Sequence, residues 1–63
     1  MKIRKVYNMY IVKNLKRKTG ACLQTAIEYW LESRNHIQVM SINVWCDKEG
    51  HYATIVYKEE HYN

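Results

Sequence analysis

Five side chains in this 63-residue chain are thiols or imidazoles that could be counted as metal ligands: Cys22, Cys46, His36, His51 and His61. Their spacing argues against such a site. Structural zinc centres gather ligands as C-x-x-C and H-x-x-x-H pairs, and neither pattern occurs. Cys46 and His51 would meet only as a cross-strand pair, and a Cys-His nucleophile also needs an oxyanion-hole loop and a third orienting group, for which the sequence offers no candidate. Glu28 and Glu32 lie one helical turn apart, which reads as a solvated helix face rather than a carboxylate dyad. No catalytic residue, metal or cofactor is expected, and the chain reads as a non-enzyme.

The basic residues carry more. Lys13, Lys16, Arg17 and Lys18 lead into the start of a helix, where unpaired backbone N–H groups and the helix dipole both attract anions. Combined with Trp45, Tyr52 and Tyr10 on a sheet face, they would suit single-stranded nucleic acid, with bases stacked on the rings and phosphates held by lysine. No RNP-like K/R-G-F/Y motif is present and phenylalanine is absent. Nucleic-acid binding is therefore kept as the alternative reading.

The element that organises the chain is Ala21 to Arg34, ACLQTAIEYWLESR. Leu23, Ala26, Ile27, Trp30 and Leu31 recur at i, i+3, i+4, i+7 and i+8, an apolar stripe wide enough to face a core, with Cys22 and Tyr29 widening it. Gln24, Thr25, Glu28 and Glu32 take the opposite side. Thr19 is the expected N-cap, Arg34 falls in the last turn, and Asn35 is the expected left-handed stop. The spacing thus predicts a helix over 21–35.

Strand alternation brackets that helix. Residues 1–12 read as a strand, with Ile3, Tyr7, Met9 and Ile11 on one face, and 13–20 as a basic connection. Residues 37–58 read as a β-hairpin closed by Asp47-Lys48-Glu49-Gly50, with Asp suited to the first turn position and Gly to a left-handed last one. A four-residue loop puts Cys46 opposite His51, Val44 opposite Ala53, Ile42 opposite Ile55 and Met40 opposite Tyr57, which keeps one apolar face together. Residues 59–63 are expected to be a frayed tail. The sum is a single small α+β domain, β-α-β-β, with one helix on one face of a three-stranded, mostly antiparallel sheet. The pattern leaves open whether the first strand pairs with the second or the third.

So short a chain buries only about 60% of its unfolded surface, so it is expected to associate or remain marginal. No apolar run approaches the length of about 18 residues that a membrane helix needs, and no signal-peptide architecture is present. Two cysteines in 63 residues do not make a secreted disulfide scaffold, so a reduced, cytoplasmic protein is expected. Residues 1–18 hold seven Lys and Arg and no acid, whereas the remainder holds three bases against six acids, leaving +4 overall. Such asymmetry suits an anionic partner or the acidic edge of a second copy. Lysine, isoleucine, asparagine and tyrosine are frequent, a bias found in low-GC bacterial and phage genes.

The far face of the sheet, expected to carry Val39, Trp45, Tyr52, Val56 and Tyr10, has no second helix to cover it. An exposed apolar patch of that kind marks an interface. The favoured reading is a non-enzymatic protein-interaction module, a homodimer in its simplest form, with a host or cellular protein as the other class of partner.

The order of elements, the helix carrying Leu23, Ile27 and Leu31, and the closing stretch IQVMSINVWCDKEGHYATIVYKE resemble a family of small proteins, about sixty residues long, associated with early sporulation in Firmicutes, and their phage-borne relatives. The likeness covers Ile37 to Lys58 best. The basic segment Lys13 to Lys18 departs from it, since that family is acidic there. The resemblance implies a bacterial or phage setting and no catalytic residues.

Overall fold

The third strand holds the sheet together. The computed structural model describes residues 5–62, with side chains from 10 to 59. It contains β1 (Lys5–Arg17), α1 (Gly20–Glu32), β2 (Ile37–Cys46) and β3 (His51–Tyr62). The sheet order is β1-β3-β2, with β3 antiparallel to both neighbours. The first strand therefore pairs with the third, β1 and β2 run parallel, and α1 makes the crossover between them.

β1 is longer than its alternation suggests. Lys13 to Arg17, expected as connection, continue the strand, because each residue finds a partner on β3: Lys13 opposite Ile55, Asn14 opposite Thr54, Leu15 opposite Ala53, Lys16 opposite Tyr52 and Arg17 opposite His51. Pairing to a central strand outweighs the weak β-propensity of lysine and asparagine. The Thr54 hydroxyl also donates to Asn14 Oδ1 at 2.9 Å. The same ladder carries β3 to Tyr62, so the expected tail is strand as far as that residue. Residues 1–4 of the expected first strand, and Asn63, lie outside the described residues.

α1 begins where expected and ends earlier. The Thr19 hydroxyl accepts from the Cys22 N–H at 3.1 Å, and the Leu23 N–H donates to the Thr19 carbonyl. Ser33 ends the helix: its hydroxyl donates to the Trp30 carbonyl at 2.8 Å, competing for the backbone that another turn would use. The left-handed residue is His36 (φ 61°) rather than Asn35. Arg34 lies past the helix, its guanidinium 5.5 Å from the Trp30 ring centre.

The core lies under α1. Trp30, Ile55 and Tyr57 are buried together, with Ile11, Leu15, Ile27, Leu31 and Ile37 packed around them. Trp30 meets Tyr57 edge to face, ring centres 5.0 Å apart. The buried stripe is narrower than expected: Cys22 and Tyr29 are exposed. A helix with its side chains is about 10 Å across and strands lie about 4.8 Å apart, so one helix roofs two strands of three. α1 packs on β1 and β3 and leaves β2 outside its footprint.

The hairpin register is the expected one from the turn to Ile42, with Cys46, Val44 and Ile42 opposite His51, Ala53 and Ile55. A bulge at Met40 then puts Val39, not Met40, opposite Tyr57. One extra residue exchanges the faces of everything before it. Gly50 has no positive φ. Its lack of a side chain answers a close approach instead, since a Cβ there would stand 2.8 Å from the Arg17 carbonyl oxygen.

The outcome is elongated, 54 × 18 × 11 Å, with a radius of gyration of 14.3 Å. A compact chain of this length would have about 11 Å. β1 and β3, at roughly 3.3 Å per residue, run far past a thirteen-residue helix rising about 1.5 Å per residue.

Candidate functional site

The open sheet face arranges its residues in rows across the three strands. Trp45, Tyr52 and Lys16 form one row, Asn43, Thr54 and Asn14 the next, then Ser41, Val56 and Val12, then Gln38, Lys58 and Tyr10. Trp45 stacks on Tyr52 with ring centres 5.4 Å apart and planes 14° from parallel. Lys16 Nζ lies 5.5 Å from the Tyr52 ring centre, and Lys58 Nζ lies 4.6 Å from that of Tyr10. The expected single apolar patch is thus two patches, Trp45 with Tyr52 and Val56 with Tyr10 and Val12, divided by the polar Asn43-Thr54-Asn14 row. Val39 belongs to neither. The Met40 bulge turns it to the helix side, in line with Tyr57.

At the turn, Asp47 holds the Trp45–Tyr52 stack in place. Its Oδ1 accepts from the Glu49 N–H at 2.8 Å, the Gly50 N–H at 3.1 Å and the Tyr52 hydroxyl at 3.0 Å. The Glu49 N–H, followed by the Tyr52 and Gly50 donors and the nearby Lys16 charge, holds the Asp47 carboxyl below its ordinary range against some desolvation. Desolvation, then the hydrogen bond to Asp47, pushes the Tyr52 phenol up.

The basic residues do not gather. Lys13 lies in register with Ile55 on the helix side, and Lys16 on the open side with Tyr52. Lys16 Nζ also stands 3.9 Å from Glu49 Oε2, both side chains well exposed, and Arg17 Nη1 donates to the Lys16 carbonyl at 2.7 Å. Strand alternation splits what a loop would have kept together. Cys46 faces His51 across the hairpin. Among the described residues, no three of His, Cys, Asp and Glu gather where they could hold one ion.

What sequence reasoning missed is on the other face. The helix-side row of β2 is Val39, Ile42 and Val44, exposed by 38%, 42% and 61%, with Met40 in the bulge at 43%. Between the Val44 end of that row and the flank of α1 lies an apolar groove of about 460 Å³, lined by Leu23, Ile27, Val44, Trp45, Cys46 and His51, with Gln24 and Glu28 beside them. β2 is also an edge strand, and none of its ten residues is charged. The available signal was its composition: IQVMSINVWC carries neither the Lys nor the Pro with which exposed edges are usually guarded.

Among the described residues no helix is long and apolar enough to cross a membrane. Comparison with models of known families, with curated proteins and with solved structures found no match.

Proposed function

We propose that the chain is a non-enzymatic protein-interaction module that docks its partner as an added strand along β2, with the partner's apolar side chains filling the groove beside α1. The observation that carries this is the pairing of an uncharged edge with an uncovered apolar row on the same strand. The edge offers main-chain hydrogen bonds, which give affinity, and the groove offers pockets for alternate side chains, which give selectivity. Together with the likeness to sporulation-associated and phage-borne proteins, this reading puts the module in a bacterial cytoplasm, where Cys22 and Cys46 stay reduced.

A photo-crosslinking residue at Val44 tests it in the native cell. Discrete protein adducts are expected at position 44 and none at Tyr29, which is 74% exposed on the outer face of α1. Absence of any adduct at 44, with this chain or another, rejects the reading.

One observation favours the alternative, a small nucleic-acid-binding module. Lys16 and Lys58 lie over the rings of Tyr52 and Tyr10 on the open face, beside the Trp45 stack. Oligonucleotide binding that falls steeply with salt, and is lost in Lys16→Glu, Arg17→Glu and Lys18→Glu combined, would support it.

A further inference from the structure

We infer that the strand added at β2 is β2 of a second copy, paired antiparallel about a two-fold axis through Asn43. This deepens the docking reading by naming its partner. The Asp47 N–H donates to the Gly50 carbonyl. Since backbone groups alternate sides along a strand, those of Trp45 and Asn43 point to β3, while those of Cys46, Val44 and Ile42 point out into solvent. The free groups on each copy are therefore those that a second β2 requires.

Centring the pair on Asn43 places Ile42 opposite Val44 of the second copy, and Val44 opposite its Ile42, as hydrogen-bonded pairs. Asn43 faces its own counterpart as a non-hydrogen-bonded pair on the open face, amide to amide, with Trp45 beside Ser41 of the second copy. A two-fold axis perpendicular to the sheet is the one that makes like edges antiparallel, so both helices fall on the same side. The product is a six-stranded sheet, β1-β3-β2-β2-β3-β1, in which the two uncovered apolar rows lie side by side.

Charge selects a second copy over other strands of this chain. β1 carries Lys5, Lys13, Lys16 and Arg17, so two β1 edges repel, whereas two β2 edges bring no charge together. The pattern is also self-complementary, because the residues on either side of Asn43 are both β-branched and apolar. Val39, Met40, Ile42, Val44 and Trp45, each 38–61% exposed, offer roughly several hundred Å² per copy, more than scattered surface hydrophobes supply. Two copies with their paired backbone approach about 1,200 Å², where specific interfaces begin.

Three measurements test this. Sedimentation equilibrium of the wild type at about 100 μM should show a dimer, and Val44→Pro should weaken it by ~10-fold or more with unchanged circular dichroism. Proline at 44 removes an outward N–H and leaves the β3 ladder whole. Ile42→Lys asks the same question by charge should that variant not fold. In a Cys22→Ser, Cys46→Ser background, Asn43→Cys should oxidise to a covalent dimer, because a non-hydrogen-bonded pair sets Cα atoms about 4.5 Å apart, within disulfide reach. Ser41→Cys, away from the axis, should not. A monomeric wild type, or cross-linking at 41 in place of 43, overturns the inference. Foreign adducts at Val44 on a monomeric chain would leave the docking reading standing, and no adducts at all would remove both.

Discussion

The two edges of this sheet meet solvent in opposite ways. β1 is guarded: it carries four bases, shifts its pairing register between Tyr7 and Tyr10, and sends Ile11 and Leu15 under α1. β2 is bare: it carries no charge, and past Ile37 its helix-side row has no roof. Both flank the same β3, so the difference lies in the strands themselves and in where α1 sits. A bare edge opposite a charged one is the asymmetry on which the proposed docking rests.

The largest effect expected from breaking this asymmetry comes from the roof. Trp30→Ala should cost about 3 kcal/mol in a urea melt, near the low end for an aromatic truncation. The buried indole Nε1 has no hydrogen-bond partner among the described residues, so its removal also recovers a desolvation cost of about 1–3 kcal/mol. An unchanged midpoint would mean that α1 does not cover β1 and β3. Next is the join between β1 and the turn. Gly50→Ala forces a Cβ to within 2.8 Å of the Arg17 carbonyl oxygen, and overpacking against backbone costs about 1–3 kcal/mol. A smaller shift in melting temperature than at any core site would show that the Arg17 end yields freely.

On the bare side, Val44→Ala in dilute solution should change monomer stability by no more than about 0.5 kcal/mol. A loss comparable to that at Trp30 would show that α1 covers β2 after all. The smallest effect concerns acid. Asp47 has its folded pKa held below the ordinary carboxylate range, first by the Glu49 N–H, so it contributes stability that is fully present above the unfolded pKa and is lost as pH falls through the folded one. Because this carboxylate is exposed the change is slight, and Asp47→Asn should flatten it. A stability profile between pH 5 and about 2 that is the same in both proteins would remove Asp47 from the account.

Much of this fold is legible in the sequence. The stripe from Leu23 to Leu31 gives the helix, and period-two alternation with an Asp-to-Gly turn gives the hairpin and its register near Cys46 and His51. The Met40 bulge is not legible, because Val39, Met40 and Ile42 are all apolar and an extra residue among them leaves the pattern plausible on either face. Nor is the reach of β1: Lys13 to Arg17 look like a loop until β3 supplies partners. The candidate site was half legible. Trp45 and Tyr52 can be placed together from alternation, but the sequence points to an uncovered face only opposite the helix, whereas the width of one helix against three strands leaves the helix side of β2 bare as well.

The placement of the two tryptophans has an optical consequence. Trp30 is 6% exposed and edge-on to Tyr57, while Trp45 is 50% exposed and nearly parallel to Tyr52. An indole in an apolar core emits toward the blue, and one in contact with water emits toward the red. Unfolding therefore shifts the first emission, and covering of β2 shifts the second in the opposite direction. The Trp45–Tyr52 pair also couples its transitions in the near-ultraviolet, giving a circular-dichroism band that depends on the ring geometry Asp47 maintains. Without any added label, one cuvette distinguishes a chain that has come apart from a chain whose edge has been filled.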